Sequence, residues 1–217
     1  MTLKAVDGAL MDRAALAGLM ARGFAYPDES FRQSVSSGKF ESDVRAVSRA
    51  AGLERAAEAL GPALSEPALS EPYALAGEHT HLFERSVLCP FNEASYLGAQ
   101  GLAAVRELAD VASLYNVFGY KVSSRAGELA DSLPVELEFL GVLYAKEAYA
   151  RERGWKAKAK ISADVRATFL KEHLGLWLPK FGERLRKHAR LLFYPALASL
   201  AEGLVSIEQD GRAGAAE

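Results

Sequence analysis

Carboxylates crowd one short stretch of the chain, residues 127–140 (GELADSLPVELEFL). Glu128 and Asp131 come first, and Glu136 and Glu138 lie within the apolar run that follows. Carboxylates at this density can receive a basic partner, because they form strong paired hydrogen bonds with guanidinium groups. Acids near a helix N-terminus also interact favourably with the helix dipole. The stretch therefore supports two hypotheses, a solvated helix end and a site for a basic partner.

Asp131 and Ser132 stand where a helix is predicted to begin. Either side chain can cap that helix, because its oxygen can accept a hydrogen bond from a free backbone N–H of the first turn. Capping accounts for one of these two residues and leaves Glu128 unexplained. A binding role for this corner therefore stays open beside the capping role.

Residues 133–150 place apolar side chains around the whole circumference of a helix, which predicts a central, buried helix. Glu136 and Glu138 are then expected to face neighbouring helices. Buried carboxylates are costly unless they are paired or hydrogen-bonded. We therefore expect Arg or Lys side chains, or tyrosine hydroxyls, of neighbouring helices to satisfy both of them.

Residues for metal or nucleophilic chemistry are sparse. His79, His81 and Cys89 form a weak zinc candidate, because two histidines that are two positions apart do not share a helix face. Cys89 has no basic residue nearer than Arg85, so a reactive thiolate is not indicated. The chain carries no phosphate-binding loop and no GxSxG elbow. The sequence thus predicts no catalytic residue, no metal and no cofactor, and a metal-dependent enzyme is the least favoured alternative.

Helices must position these residues, because strand signals are nearly absent and helix-forming residues dominate the composition. Asp28 is a predicted cap for a short helix that stops near Gly38, and Ser42 for a helix that ends before Gly61. A first helix is predicted where Leu10, Ala14, Ala17 and Leu19–Met20 repeat at helical spacing, and Pro27 ends that segment. Further helices are predicted near residues 73–84, 94–118, 132–153, 162–188 and 190–208. The predicted fold class is all-α, a single helical bundle.

Prolines predict two interruptions of these helices. Residues 62–72 contain a tandem copy of Ala-Leu-Ser-Glu-Pro, and prolines at this spacing forbid a regular helix. We interpret residues 61–72 as a linker or mobile loop, which separates an N-terminal helical part from the larger C-terminal part of one domain over residues 1–217. Pro179 predicts a break in the helix over residues 162–188.

Composition and charge exclude several classes of protein. The 217 residues are 50% hydrophobic and 25% charged, with a formal charge of −2, as expected of a soluble globular protein. No apolar run approaches the roughly 20 residues of a membrane span, and the N-terminus lacks the apolar core of a signal peptide. The single cysteine rules out an internal disulfide. We expect a cytoplasmic protein without stable membrane insertion.

Positive charge is concentrated in residues 146–190, which hold thirteen Lys or Arg against five Asp or Glu. Basic stretches can bind nucleic acid. However, neither KAKAK (156–160) nor RLRKHAR (184–190) has aromatic residues spaced for base stacking. We expect the first to be a solvated loop and the second a solvated helix face, with no nucleic-acid partner.

Three stretches together follow the pattern of a known family. HTHLFERSVLCPFNEASY (79–96) is similar to a motif of aromatic-x-x-Leu-Phe, then Pro, then Glu-x-x-Tyr. ELADSLPVELEFL (128–140) is similar to Glu-x-Pro-Asp-His-(Ile/Leu)-x-x-Glu-Leu-x-Phe, and FLKEHLGLWLPKF (169–181) to Phe-Leu-x-x-His-Leu-x-x-Trp. In this order and spacing they resemble the TorD/DmsD/NarJ family of cytoplasmic chaperones for molybdenum oxidoreductases, the redox enzyme maturation proteins. Residues 1–70 match only as generic helices.

This resemblance implies a TorD-like all-α bundle and a chaperone rather than an enzyme. Such proteins bind the N-terminal region of a partner enzyme, often a twin-arginine leader, and hold it in the cytoplasm until the molybdenum cofactor is inserted. Carboxylates would pair with the arginines, and exposed apolar side chains such as Phe83 and Phe91 would hold the apolar stretch in a groove. The positions that match the motifs, and that we expect to bind the leader, are Leu82, Phe83, Pro90, Phe91, Glu93, Tyr96, Glu128, Asp131 and Ser132.

The sequence departs from the family pattern in the acidic motif. Ser132 stands where relatives have histidine, and Ala130 stands where they have proline. Some relatives are reported to bind guanine nucleotides around that corner, and Ser132 puts such binding in doubt here. The main alternative function is a helical scaffold or adaptor for another protein. The client enzyme, the choice between leader and mature N-terminal segment, and the choice between a monomer and a domain-swapped dimer stay open.

Overall fold

The structure, a computed structural model, describes residues 8–71, 73–85, 87–98, 102–122 and 129–213. These residues are mainly α-helical, and their extended backbone pairs only in an isolated antiparallel bridge between Asn92 and Ser132. The predicted all-α fold class is therefore confirmed. Each described helix is too short or too polar to span a membrane.

Helices follow one another through most of the described chain. The α-helices before residue 100 are α1 (Gly8–Phe24), α2 (Glu29–Ser36), α3 (Lys39–Ala50), α4 (Glu54–Ala57), α5 (Leu60–Leu64), α6 (Ala74–His79) and α7 (Ala94–Leu97). The later α-helices are α8 (Leu102–Val117), α9 (Leu133–Glu152), α10 (Lys156–Phe169), α11 (Gly175–His188) and α12 (Phe193–Ala213). A 3-10 helix covers Pro67–Ser70, and π-helical turns cover Thr80–Arg85 and Leu170–Leu174.

The described residues fall into two compact units. The first unit combines the residues up to Ala21 with Phe91–Trp177, and the second combines Arg22–Pro90 with the residues from Leu178 onward. Residues 61–71, interpreted from the sequence as part of a linker, belong to the second unit, where Glu66 Oε2 accepts a 2.9 Å hydrogen bond from the Leu192 N–H. The organisation as one domain with a linker stays a prediction.

Asp28 caps α2 as predicted. Its Oδ1 accepts a 2.9 Å hydrogen bond from the backbone N–H of Phe31. This bond, with the Ser30 hydroxyl and the Arg22 guanidinium, lowers the pKa of Asp28 to about 2. The helix end is therefore satisfied by a charged acceptor, as its sequence pattern indicated.

Left-handed glycines divide the predicted helices more finely than apolar spacing indicates. The helix predicted to begin at Ser42 begins three residues earlier and ends at Ala50, before Gly52 with φ +78°. The helix predicted over residues 94–118 is divided into α7 and α8, and Gly98 with φ +73° ends α7. Only glycine adopts this conformation without strain, so it commonly ends a helix.

The helix predicted over residues 162–188 is interrupted before its proline rather than at it. The π-helical turn Leu170–Leu174 separates α10 from α11, and Pro179 lies inside α11. Proline lacks an N–H, and its ring crowds the carbonyl four residues earlier, here that of Gly175. The π-helical turn ends directly before Gly175, four residues ahead of the proline.

The KAKAK stretch is helical, so its prediction as a loop is wrong. Lys156 begins α10 directly after Trp155, and the three lysines are exposed. Lysine and alanine are both good helix formers, and their propensity prevails where packing does not decide the conformation.

Helix α9 is the central helix of the first unit, as its apolar circumference predicted. The ring centroid of Phe139 lies 4.5 Å from that of Tyr115 and 5.2 Å from that of Phe169. On another face, a Cβ atom at Gly141 would lie 3.2 Å from the carbonyl oxygen of Ala14, so glycine lets α1 pack closely. This packing holds the helix whose N-terminal end carries the predicted site.

The second unit has a core of rings that we call the aromatic cluster, made of Phe24, His79, Phe83, Phe181 and Tyr194. The ring centroid of Phe83 lies 4.9 Å from that of His79, 5.1 Å from that of Tyr194 and 6.3 Å from that of Phe181. Such ring pairs contribute about 0.5–1.5 kcal/mol beyond the burial of their area. The cluster therefore has the packing of a structural core.

Candidate functional site: an acidic corner at the start of helix α9

Four buried polar residues surround the N-terminal end of α9, and we call them the acidic corner: Glu93, Asp131, Ser132 and Glu136. The Glu93 N–H donates a 2.9 Å hydrogen bond to the Asp131 carbonyl oxygen. The Leu133 N–H donates one of 2.8 Å to the Phe91 carbonyl oxygen. This short antiparallel pairing joins two of the sequence motifs in one place.

The carboxylate of Asp131 is only partly hydrogen-bonded within the described residues. Its Oδ2 accepts a 3.2 Å hydrogen bond from the Ala94 N–H and a long one, 3.4 Å, from the Asn92 side-chain amide. Its Oδ1 is buried and has no hydrogen-bond partner in the described part of the chain. An unmet buried acceptor costs about 1–3 kcal/mol, and more when it is charged. Asp131 therefore keeps an acceptor that suits a positively charged donor.

Side-chain capping of α9, expected from Asp131 or Ser132, is not found among the described residues. Ser132 occupies the N-cap position with φ −80° and ψ 147°, but its buried Oγ makes no hydrogen bond to them. Asp131 bonds to the first turn of α7 instead, through Ala94. The capping prediction is wrong because the pairing of Ser132 with Asn92 turns the Asp131 carboxylate toward the other segment.

Glu136 is completely buried, as predicted, but the expected Arg, Lys or tyrosine hydroxyl is wrong, because its donor on a neighbouring helix is an indole. The indole Nε1 of Trp177 donates a 3.1 Å hydrogen bond to Oε2, whereas Oε1 has no hydrogen-bond partner within the described ranges. Burial raises the pKa of Glu136 well above its usual value, and the nearby carboxylates of Glu93 and Asp131 raise it further. The environment therefore favours the neutral acid.

Glu138 is exposed, so its prediction as an internal carboxylate is wrong. Two residues beyond Glu136, its side chain projects about 200° further around the helix. The hydroxyl of Tyr120 donates a 2.5 Å hydrogen bond to Glu138 Oε2. The partner is of the expected type, but the bond lies at the surface.

The third motif reaches the acidic corner through His173 and Trp177. His173 Nδ1 lies 3.1 Å from both carboxylate oxygens of Glu93. The Trp177 ring stacks on Tyr96 at a centroid distance of 5.4 Å, in addition to its bond to Glu136. Sequence reasoning did not place these two residues in the site, although the spacing of His and Trp in the third motif was their signal.

Tyr115 of α8 contacts the backbone beside this corner. Its hydroxyl donates a 2.7 Å hydrogen bond to the Ala130 carbonyl oxygen, beside Asp131. Burial raises the pKa of Tyr115, so the phenol stays neutral and remains a hydrogen-bond donor.

Apolar surface is available next to the acidic corner. Leu129 is 53% exposed and was not among the predicted site residues. Phe91 and Tyr96, which were predicted site residues, are half-buried. These side chains surround polar groups that are themselves almost inaccessible.

The remaining predicted site residues belong to the second unit or lie outside the described residues. Leu82, Phe83 and Pro90 belong to the second unit, and Glu128 lies outside the described residues. Phe83 is 5% exposed, so the expectation of an exposed side chain is wrong, because the ring packs within the aromatic cluster. Leader binding by Leu82, Phe83 and Pro90 stays a prediction.

Two residues of the zinc candidate, His79 and Cys89, lie in environments that, among the described residues, do not form a metal site. His79 Nε2 lies 3.2 Å from the Phe24 carbonyl oxygen, and its Nδ1 lies 3.3 Å from Glu84. Burial lowers the pKa of His79, an effect that Glu84 opposes. Cys89 is buried, which raises the pKa of its thiol to about 11. In the described part of the chain, no group of three His, Cys, Asp or Glu could hold a metal ion.

Comparison with known proteins identifies the family. The model of the nitrate reductase delta subunit family matches residues 46–183, which include all three motifs. This match covers more than half of the chain, so the protein belongs to that family. The resemblance to the TorD/DmsD/NarJ chaperones is thereby confirmed.

Curated relatives carry chaperone names. The chain is 30% identical over 139 residues to the chaperone protein TorD of Vibrio cholerae serotype O1 (strain M66-2), which covers 63% of this chain and 60% of the relative. It is 33% identical over 98 residues to the perchlorate reductase assembly chaperone protein of Dechloromonas aromatica (strain RCB), with 45% and 43% covered. The similarity thus spans less than two thirds of either relative.

Proposed function

We propose that this protein is a cytoplasmic chaperone, not an enzyme, that binds the N-terminal or twin-arginine leader region of a molybdenum-containing oxidoreductase subunit. In this proposal it holds that subunit during cofactor insertion and assembly, before export. Membership of the nitrate reductase delta subunit family supports the class of function. The names of the relatives, a TorD chaperone and a perchlorate reductase assembly chaperone, support it further.

The observation that carries the proposal is the pair of unmet acceptor oxygens at Asp131 and Ser132 in the acidic corner. Asp131 Oδ1 and Ser132 Oγ are both buried and lack hydrogen-bond partners among the described residues. A guanidinium group presents several N–H donors in one plane and carries the charge that suits the Asp131 carboxylate. An arginine of the leader is therefore the donor that suits this corner best.

Asn92 offers a route by which the guanidinium gains access. Its amide donates the long 3.4 Å hydrogen bond to Asp131 Oδ2, and its side chain is only half-buried. A charged donor makes a hydrogen bond roughly twice as strong as a neutral amide does. We infer that the partner's arginine displaces the Asn92 amide and then meets the Asp131 carboxylate.

The apolar part of the leader would lie on the adjacent side chains. Leu129, Phe91 and Tyr96 offer partly exposed apolar surface beside the acidic corner. Leu82, Phe83, Pro90, Glu93, Glu128 and Ser132 complete the set of residues proposed to act in binding. In this division, carboxylates recognise the basic head and apolar side chains add contact area.

Calorimetric titration of the full-length protein with leader peptides tests the proposal. The twin-arginine peptide is expected to bind at least about tenfold more tightly than the same peptide with both arginines replaced by glutamine, since charged hydrogen bonds contribute about 1.5–3 kcal/mol each. A twin-lysine peptide should lie between them, because lysine lacks the planar fork. Equal affinity for the three peptides would favour a general adaptor instead. Retention of a molybdoenzyme subunit from native cytosol identifies the client.

A further inference from the structure

An exposed surface of aromatic and basic side chains lies at the turn between α9 and α10, and we call it the basic tip: Tyr149, Arg153, Trp155, Lys156 and Lys158. Tyr149 is 47% exposed and Trp155 is 41% exposed, which is unusual for large aromatic side chains. Gly154, with φ +70°, lets the chain reverse within a few residues. The tip is therefore the exposed turn of a helical hairpin.

The basic tip is organised by contacts between cations and rings. The Arg153 Cζ atom lies 4.8 Å from the Tyr149 ring centroid and 5.8 Å from that of Trp155. The Lys158 Nζ atom lies 4.2 Å from the Trp155 ring centroid. These contacts keep the positive charges beside the two rings, in one surface.

Acidic residues do not neutralise the basic tip. Arg153, Lys156 and Lys158 make no ion pair with any residue that the structure describes. The neighbouring cations differ, because Arg151 pairs with Glu147 and Lys160 Nζ lies 2.5 Å from Asp164 Oδ2. The tip thus carries three cations without an acidic partner among the described residues, next to cations that are paired.

We propose that the basic tip docks this protein on an anionic lipid surface, as a peripheral and reversible contact. Tryptophan and tyrosine favour the headgroup level of a bilayer, where the ring is buried and its polar edge stays wet. Lysine and arginine near an anionic bilayer are attracted to its surface potential. An exposed turn with this composition therefore suits the surface of an anionic bilayer.

Nucleic acid would also supply negative charge, but it fits the tip less well. Base stacking requires an accessible aromatic face, and Lys158 and Arg153 already lie over the Trp155 ring. A bilayer requires only that the ring edge enter the interface while the cations remain beside the headgroups.

Sedimentation of the full-length protein with vesicles tests the inference. The protein is expected to bind vesicles that contain phosphatidylglycerol and not to bind vesicles made only of phosphatidylcholine. It should dissociate from the anionic vesicles when the ionic strength reaches about 0.5 M. Tryptophan emission should shift to the blue on binding. Trp177 is completely buried, so this shift would report Trp155.

Charge-reversal variants distinguish vesicle binding through the basic tip from a general effect of the protein's net charge. Lys156→Glu with Lys158→Glu should weaken vesicle binding about tenfold or more, because each cation near the surface contributes attraction and each acid adds repulsion. The matched control, Lys171→Glu with Lys187→Glu, changes the net charge equally at two exposed lysines outside the tip. Trp155→Ala should weaken binding severalfold with no loss of charge.

Three results would overturn the inference. Equal weakening by the control and the tip variant would mean that net charge alone governs the binding. Equal binding to neutral and anionic vesicles would remove the role of the cations. Binding of a single-stranded oligonucleotide, together with no binding to anionic vesicles, would assign the tip to nucleic acid instead.

Discussion

The acidic corner and the aromatic cluster both contain residues of the family motifs, yet they satisfy their buried groups in opposite ways. In the aromatic cluster, Phe83 contacts three other rings at centroid distances of 4.9 to 6.3 Å. In the acidic corner, carboxyl groups lie near one another, and the acceptor oxygens Asp131 Oδ1 and Ser132 Oγ are unmet in the described part of the chain. The first arrangement lowers the energy of the folded chain by itself, whereas the second keeps acceptors for a donor.

This difference indicates that some residues of the motifs serve the packing of the fold and that others, in the proposed function, serve the binding of a partner. A buried apolar residue such as Phe83 serves the fold through its packing. Buried polar groups without partners are costly, so their presence calls for another explanation, commonly a functional one. Stability and partner binding should therefore respond separately to changes in the two regions.

The largest effect is expected from Phe83→Ala in the aromatic cluster. Removing this ring should lower the free energy of unfolding by about 3–5 kcal/mol, through lost burial and the cavity left among Phe181, His79 and Tyr194. Urea denaturation followed by circular dichroism measures it. Leu129→Ala, at a residue 53% exposed, is the control and should change the free energy of unfolding by less than about 0.5 kcal/mol. Wild-type stability in Phe83→Ala would contradict the assignment of Phe83 to a structural core.

An intermediate effect, dependent on pH, is expected from Glu136→Gln in the acidic corner. The pKa of Glu136 is raised in the folded protein, so the folded state keeps a proton that the unfolded chain releases above about pH 4.3. Wild-type stability should therefore fall as the pH rises from there toward the folded pKa, and this part of the fall should be absent in Glu136→Gln. Between pH 5 and pH 8, the free energy of unfolding of the variant should increase relative to that of the wild type as the pH rises.

The control for this pH dependence is Glu138→Gln, on the same helix. Glu138 is exposed and bonded to Tyr120 at the surface, so its replacement should leave the pH slope of stability close to that of the wild type. A Glu136→Gln variant that gains no stability relative to the wild type at higher pH would show that Glu136 is not held in its neutral form.

The smallest effect is expected from Ser132→Ala. Loss of a capping serine normally costs about 1 kcal/mol. The Ser132 Oγ makes no capping bond and is buried without a partner in the described residues, so its removal should leave stability unchanged or raise it by up to about 1 kcal/mol. Thermal unfolding gives the sign directly. A loss of about 1 kcal/mol would instead restore Ser132 to the role of an ordinary cap.

Local pattern predicted the elements better than their ends. The apolar circumference of residues 133–150 predicted the buried helix α9, and Asp28 predicted the start of α2. The breaks at Gly52 and Gly98 were missed, because a glycine is tolerated inside a helix and its φ depends on tertiary packing. The interruption at Leu170–Leu174 likewise has no sequence signal apart from Pro179 further along.

Only part of the candidate site was predicted, because sequence patterns report residues that lie close together along the chain. Asp131, Ser132 and Glu136 lie close together in sequence, so one helix start could indicate them together. The bonds of His173 to Glu93 and of Trp177 to Glu136 cross long separations in sequence, and no periodicity reports them. The opposite fates of Glu136 and Glu138 depend on which helices pack against α9, which an apolar pattern on all sides leaves undecided.

A double-mutant cycle between Asp131→Asn and the leader arginines tests the central claim most directly. The affinities of the wild type and the variant are measured for the twin-arginine peptide and for its twin-glutamine counterpart, with Glu138→Gln as the matched control. We predict a coupling energy of about 1.5 kcal/mol or more for Asp131 and none for Glu138, because only the former carboxylate meets the guanidinium. Effects that add within about 0.5 kcal/mol at Asp131 would contradict recognition of the leader by the acidic corner.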